Sequence, residues 1–175
     1  MQTSTQTRST VIDAMLQEIE MEAQTTRRLL ALVRDEHLPW RPHPRARTLG
    51  QLALHIAQLS GGVAALALQQ EAQAPNFSDP DPVSAAELIP TFDAGIAKTK
   101  ELLGGLDDEA ATETWRLKAG DREILAIPRV AFLRSVLLNH AYHHRGQLSV
   151  YLRALGEKIP PIYGPSADEN PFARS

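Results

Sequence analysis

The histidines are the residues of this 175-residue chain with the clearest chemical potential, because the sequence contains six of them and no cysteine. Disulfides, thiolate metal sites and cysteine nucleophiles are therefore excluded. His140 and His144 are four residues apart, which on a helix places both side chains on one face, one turn from each other. Pairs of histidines at this spacing can bind one metal ion.

His55 adds a third imidazole, on the apolar stripe of a different helical segment. His140 and His144 also lie on an apolar stripe, which Leu137 and Leu148 continue. Buried imidazoles need hydrogen-bond partners, and a shared ion would provide one for each ring. The sequence therefore predicts a divalent-metal site formed by His55, His140 and His144. The alternative is that the histidines are ordinary core residues and bind no metal.

The remaining histidines are expected outside the site. His143 also lies within one turn of His140, but His144 fits the apolar stripe better, which places His143 at the rim. His37 and His43 lie at or in a proline-rich loop and are expected to be exposed to solvent.

Helical patterns must position these residues, and four are present. The first covers residues 9–34, with Ser9 or Thr10 as its cap. After the loop at residues 38–47, the second begins at a capping box, Thr48-Leu-Gly-Gln51. Gly61-Gly62 lowers the helix propensity of this segment, and an abutting helix or a ligand would be one reason for small residues there.

Another capping box, Ser84-Ala-Ala-Glu87, predicts the start of the third helix, which extends to about Leu103. Pro90 lies inside this stretch and is expected to kink the helix or to delay its start. The fourth helix is predicted from near Pro128 to Gly156. A long connection, 71–83, joins helices two and three, and residues 115–127 suggest a hairpin or an irregular excursion. The prediction is one all-α domain over 1–175, a four-helix bundle with a flexible tail at 1–8.

Composition excludes several classes of function. A net charge of −3 gives no general attraction to nucleic acid or to anionic membranes. The N-terminus lacks the apolar segment of a secretory signal, and no apolar run extends over the ~18 residues of a membrane span. The expected location is the cytoplasm.

The chain resembles the DinB/YfiT-like superfamily through a few segments: Trp40-Arg-Pro, Thr48-Leu-Gly-Gln-Leu-Ala-Leu-His55, Asn139-His-Ala-Tyr-His-His-Arg-Gly-Gln-Leu148 and Tyr151-Leu-Arg-Ala-Leu-Gly156, followed by Pro160. The resemblance implies a four-helix bundle with a long crossover between helices two and three, and a homodimer. It also implies one divalent ion, zinc or nickel among others, held by His55, His140 and His144. Some members of that superfamily are transferases or isomerases that use a low-molecular-weight thiol.

Three neutral imidazoles leave coordination positions open, which is typical of catalytic zinc. A metal there would activate a bound water or a thiol, so hydrolysis and thiol transfer on a small molecule are both available. The alternative is a non-enzymatic metal- or ligand-binding protein of the stress response. Gln147 is the residue best placed to orient an imidazole. Arg145 and Arg153 are expected to be surface or structural residues rather than substrate-binding ones. The basic loop Arg41–Arg47 is expected to be solvated rather than to bind an anion.

Overall fold

The structure is a computed structural model that describes residues 9–76 and 78–173. It is a mostly helical four-helix bundle, as the sequence predicted. The long helices are α1, Thr10–Leu30; α2, Leu49–Ala67; α3, Leu88–Leu103; and a last helix composed of α5, Arg129–Phe132, a π-helical segment, Leu133–Asn139, and α6, His140–Ala154. A short helix, α4, covers Asp108–Thr112, and 3₁₀ turns cover Asp35–His37 and Ala85–Glu87. The tail predicted for residues 1–8 lies outside the described residues.

A small three-stranded sheet accompanies the bundle. The excursion before the last helix is a hairpin of β2, Thr114–Ala119, and β3, Arg122–Pro128, paired antiparallel. The crossover between α2 and α3 contributes β1, Glu71–Gln73, which pairs parallel with β2. The hairpin was one of the two forms predicted for this excursion, whereas β1 was not predicted.

Side-chain caps fix where the first two helices begin. Ser9 Oγ accepts from the backbone N–H of Ile12 at the start of α1. Thr48 Oγ1 accepts from the N–H of Gln51 at 3.1 Å, while Gln51 Oε1 accepts from the N–H of Thr48 at 3.0 Å. This reciprocal pair is the capping box that the sequence predicted, and it places His55 on the second turn of α2.

The prediction of a second capping box at Ser84 was wrong. Ser84 precedes a 3₁₀ turn and makes no side-chain capping bond, and the α-helix begins at Leu88. The Glu87 carboxylate instead accepts from the backbone N–H of Val83 at 2.9 Å. Pro90 consequently lies in the first turn of α3, where its missing N–H costs no intrahelical bond.

Proline and glycine bound the last helix. Pro128 precedes its first turn, and Gly156 follows its end with a φ of 87°. That left-handed conformation suits glycine and allows the chain to leave the helix sharply. Both ends agree with the sequence prediction, but the π-helical segment does not show in the pattern. It directly precedes His140, and such segments often occur at functional sites.

Arg129 connects the end of α2 to the beginning of the last helix. Its buried guanidinium donates from Nε to the carbonyl of Ala67 at 2.8 Å and from Nη2 to Glu113 at 3.0 Å, and it also contacts the carbonyl of Ala110. The Ala67 carbonyl belongs to the last turn of α2 and has no partner within that helix. Arg129 therefore satisfies a helix end that would otherwise be buried without a partner.

Helix α2 is long and apolar enough to cross a membrane by length and composition alone, and 61% of that stretch is buried inside the fold. It packs against α3 and the last helix. Its burial against other helices accounts for its apolar composition.

The two glycines of α2 have different surroundings. A Cβ added at Gly61 would lie 3.1 Å from the Cα of Gly95, so α2 and α3 cross here with their backbones in contact. A Cβ added at Gly62 would meet nothing within 4 Å. The abutting helix that the sequence suggested is therefore present at Gly61, while Gly62 is next to open space.

These surroundings give opposite expectations for alanine at the two positions. Gly61→Ala should lower the free energy of unfolding by about 1–3 kcal/mol, because the added methyl group must separate two helix backbones. Gly62→Ala, its matched control, should raise it by about 0.5–1 kcal/mol through helix propensity. Urea denaturation of both variants checks the difference, and equal effects at the two positions would contradict the close crossing at Gly61.

Candidate metal centre

The structure brings together the three histidines singled out in the sequence. One nitrogen from each of His55, His140 and His144 lies within 4.8 Å of the others. The ring centroids are separated by 4.5 Å for His140 and His144, 4.6 Å for His55 and His144, and 5.4 Å for His55 and His140. This compact triangle has the dimensions from which one ion could be held.

Two helices position this triangle between the two halves of the core. His55 lies on α2 between Leu52, which belongs to one buried apolar cluster, and Leu59, which belongs to the other. On the last helix, His140 and His144 lie between Leu137 and Leu148, which divide in the same way. The histidines therefore form a polar layer where the two apolar clusters meet.

A hydrogen bond from His144 to Gln147 determines which nitrogen of His144 is available. Gln147 Oε1 lies 2.7 Å from His144 Nδ1, so Nδ1–H donates and Nε2 carries the free lone pair. That Nε2 lies 2.7 Å from Nε2 of His140, which can donate to it. Gln147, three residues after His144, is thus the orienting residue that the sequence suggested.

His55 provides the clearest sign that the cluster is suited to a further group. Its Nε2 atom is buried and has no hydrogen-bond partner. An unsatisfied buried nitrogen costs about 1–3 kcal/mol, so native structures rarely retain one without a reason. A divalent ion would give His55 a partner and would replace the hydrogen bond between His140 and His144. Three imidazole nitrogens are a common ligand set of catalytic zinc, so the residues present fit such an ion.

Burial keeps all three imidazoles neutral at physiological pH. It lowers the pKa of His55 to about 4, with smaller contributions from the charges of Arg47 and His140. It also lowers the pKa of His144 to about 4, against a raising contribution from the hydrogen bond to Gln147. The pKa of His140 is lowered as well, first by burial and then by the neighbouring His143. Neutral imidazoles with free lone pairs are the form that binds metal.

An ion pair between Arg47 and Asp79 lies beside the histidine site. Arg47 Nε donates to Asp79 at 2.6 Å, and both side chains face a depression that Gln147 and Tyr151 also line. The sequence predicts that Arg47 belongs to a solvated loop, and it gives no indication that Asp79 lies near the site. The pairing involves residues 32 positions apart, for which the sequence carries no local signal.

The other histidines divide into two exposed residues and one half-buried residue. His143 is exposed at the rim and His43 is exposed in the loop, as predicted. The prediction of exposure was wrong for His37, which is half-buried with its Nδ1 atom fully covered and unpartnered. His37 lies in the 3₁₀ turn Asp35–His37. The proline-rich sequence that follows does not indicate that this turn folds against the bundle.

Two arginines expected to be surface or structural residues make structural contacts. The buried Arg145 pairs with Glu22 and contacts the hydroxyl of Tyr163, which holds the C-terminal segment against α1. Arg153 pairs with Asp168 in the same segment. Both guanidinium groups are bonded to these residues and not to the three histidines.

Removing the Gln147 oxygen that accepts the hydrogen bond of His144 should weaken metal binding. Gln147→Leu is expected to lower zinc affinity by about 10–100-fold, the usual effect of losing such an orienting bond. Gln147→Glu keeps an acceptor at the same distance along the side chain and should bind zinc at least as well as the unaltered chain. Zinc competition with a chromophoric chelator measures both, and equal losses in the two variants would show that the hydrogen bond is not what matters.

The lowered pKa values also predict an acid sensitivity of the metal-free protein. Between pH 6.5 and about 4 the unfolded chain protonates His55 and His144, whereas the folded chain does not. Stability should therefore fall on acidification, by up to about 1.4 kcal/mol per pH unit for each histidine and less for the half-buried His55. Urea denaturation at pH 7, 6 and 5 checks this. His144→Asn should show a shallower decline, and an unchanged slope in that variant would contradict it.

Comparison with known proteins identifies relatives over nearly the whole chain. Residues 1–171 match the sequence profile of the DinB family. The chain is 30% identical over 159 residues to the uncharacterized protein YrdA of Bacillus subtilis (strain 168), covering 90% of this chain and 91% of YrdA.

Solved structures with the same fold include two from bacilli. A DinB-like protein of Bacillus cereus ATCC 10987 is 27% identical, with a TM-score of 0.68 and coverage of 85% of this chain and 95% of that one. YfiT of Bacillus subtilis is 14% identical, with a TM-score of 0.63 and coverage of 84% and 89%. YfiT is described as a probable metal-dependent hydrolase with an unusual four-helix bundle topology. At that identity the likeness shows a shared fold.

Proposed function

The chain belongs to the DinB family, and from that premise we propose that it is a metal-dependent enzyme that hydrolyses a small molecule. His55, His140 and His144 would hold one divalent ion. When bound, such an ion acts as a Lewis acid and lowers the pKa of a coordinated water toward ~7. The single observation that carries the proposal is the buried, unpartnered Nε2 of His55, a residue that offers one ring nitrogen within 4.8 Å of a nitrogen of each of two other neutral imidazoles.

Access to the site supports an enzyme over a sealed binding module. His55 and His140 line a cavity of about 410 Å³ that shares no lining residue with the depression at Arg47 and Gln147. A small molecule in that cavity would be next to both imidazoles. A module that stores or senses a metal has no need of such a space beside its ligands, whereas a catalytic site requires one.

Each residue then has a defined task. Gln147 holds the imidazole of His144 in the tautomer that leaves Nε2 free. Burial keeps the three rings neutral, so that each can offer a lone pair. Three histidine ligands would leave coordination positions of such an ion for water and substrate.

Hydrolysis is favoured over thiol transfer by the character of the cavity. Peptidic low-molecular-weight thiols carry carboxylates, and among the described residues that line the cavity there is no lysine or arginine to receive them. The description of YfiT as a probable metal-dependent hydrolase agrees with this choice, although its 14% identity bears on the fold and not on individual residues.

Cobalt substitution tests the proposal, because cobalt(II) reports its ligands in the visible spectrum. We expect a spectrum that changes with pH near neutrality, as a bound water ionises, and zinc-dependent hydrolysis of small neutral esters that His144→Ala abolishes. A spectrum that does not change with pH or with added ligands would refute the proposed enzyme and favour a sealed metal-binding module. A thiolate-to-cobalt charge-transfer band on addition of a thiol, without esterase activity, would replace hydrolysis by thiol transfer.

A further inference from the structure

The cavity beside His55 and His140 has a composition that restricts what can occupy it. Its volume of about 410 Å³ lies within the ~300–1,000 Å³ typical of small-molecule sites. Apolar residues make up most of its lining: Leu59, Gly62, Val63, Leu66, Pro75, Leu117, Leu125, Phe132 and Val136. The polar members are Gln58 and the two histidines, and no aspartate, glutamate, lysine or arginine of the described part of the chain lines it.

We propose that this cavity binds the uncharged, apolar part of the substrate, a compact alkyl or aryl group next to the bond that is hydrolysed. The inference rests on the proposed function and names its substrate class. Transfer of a charged group into such a lining would cost several kcal/mol without a partner, whereas an apolar group gains from leaving water. The geometry thus favours a neutral ester or amide with a hydrophobic substituent.

The β2–β3 hairpin contributes two lining residues to the cavity. Leu117 on β2 and Leu125 on β3 are direct cross-strand partners, so both side chains point to the same face of the hairpin. Both pack against the buried cluster that contains Trp115 and Phe132. The hairpin therefore places two leucines opposite α2 and closes one side of the cavity.

Gly62 leaves part of this space empty. It lies on α2 seven residues after His55, and a Cβ at that position would meet nothing within 4 Å. A leucine there would extend from a helix that tolerates it and would fill the cavity. Gly62→Leu is therefore a blocking variant, and Gly62→Ala is its matched control.

The depression lined by Arg47, Asp79 and Gln147 shares no lining residue with the cavity and offers a more polar environment. The charge of Arg47 is offset there by its ion pair with Asp79. The two environments can be separated experimentally by comparing ligands that share an apolar skeleton and differ by one charged substituent.

N-phenyl-1-naphthylamine and its sulfonated analogue, 8-anilinonaphthalene-1-sulfonate, form such a pair of fluorescent probes. With metal-free protein we expect saturable binding of the neutral probe, at least about tenfold tighter than that of the sulfonate. Gly62→Leu should weaken the neutral probe at least about tenfold, while Gly62→Ala has little effect. Equal binding of both probes, or no effect of Gly62→Leu in a variant that melts like the unaltered chain, would overturn the proposal.

A second comparison connects the cavity with the metal site. In zinc-loaded protein, benzohydroxamate should displace the neutral probe at least about tenfold better than acetohydroxamate, since the two share a metal-binding head and differ in the apolar group. Gly62→Leu should abolish that difference, and a difference that persists in it would overturn the proposal.

These measurements fail independently of the proposed function. Probe binding without zinc binding would refute the metal-dependent enzyme and leave the cavity, whereas zinc binding without probe binding would refute the cavity alone. A dimer in solution that dissociates in Gly62→Leu, with no probe bound by the unaltered chain, would show that a second copy covers this face and would also overturn the proposal.

Discussion

Replacing His55, His140 or His144 by alanine is expected to lower zinc affinity by on the order of 10²–10³-fold. The apparent binding energy of four-ligand zinc sites corresponds to about 3–4 kcal/mol for each ligand, and every 1.4 kcal/mol is a factor of ten. The three losses should be similar, because each ring contributes one nitrogen to the same triangle. Equilibrium dialysis of untagged protein against buffered zinc measures them.

His143→Ala is the matched control for these variants. His143 is on the same helix, its ring centroid is 5.0 Å from that of His144, and its side chain is exposed. It should retain zinc affinity within about threefold of the unaltered chain, since an exposed side chain beside the site contributes little. If His143→Ala lost zinc as fully as His144→Ala does, or if all three site variants retained it, the assignment of ligands would be wrong.

Trp115→Ala is expected to lower the free energy of unfolding by about 3–5 kcal/mol, the largest stability effect we anticipate for a single substitution. Trp115 is wholly buried, its ring stacks on Phe132 at 3.8 Å, and its indole nitrogen donates to the carbonyl of Leu66 at 3.3 Å. Truncation removes this contact area and leaves a buried carbonyl without its donor. Urea denaturation gives the change in stability.

Two further variants make that result specific. Trp115→Phe preserves the stacking and should cost less than the alanine variant. Ile124→Ala removes an exposed side chain from the same hairpin and should change stability by no more than about 0.5 kcal/mol. Equal effects of Trp115→Ala and Ile124→Ala would show that the tryptophan does not anchor the hairpin to the bundle.

The parts of this structure that the sequence revealed are those governed by neighbouring residues. The capping box at Thr48 forms because both partners are within one turn, and the spacing of His140 and His144 determines their common face on any helix. The same rule was wrong at Ser84, where Glu87 accepts from Val83 and the first turn becomes 3₁₀. A short motif permits a cap but does not exclude competing local hydrogen bonds.

The parts that could not be predicted depend on contacts between distant segments. No local pattern in the sequence marks Arg129 as buried, yet its guanidinium is buried against a carbonyl 62 residues away. The pairing of β1 with β2 joins the crossover to the hairpin, and neither segment carries a signal for the other. The cavity likewise combines residues of α2, the hairpin and the last helix, none of which is unusual alone. For these features the tertiary fold supplies the information.

His55 lies between these two cases. Its place on an apolar stripe can be read from the sequence, but its distance to the other two histidines follows from the packing of α2 against the last helix. The common location of the three histidines on core-facing stripes predicted this grouping, and the resemblance to a known family implied the same three ligands. The unpartnered nitrogen, by contrast, became evident from the coordinates alone.

Anomalous X-ray diffraction at the zinc edge, from crystals grown with zinc, tests the central claim most directly. We expect a single strong peak about 2.0–2.1 Å from one nitrogen of each of His55, His140 and His144, with Gln147 still bonded to His144. A peak confined to exposed side chains such as His43 or His143, with the three buried imidazoles unbound, would contradict the account.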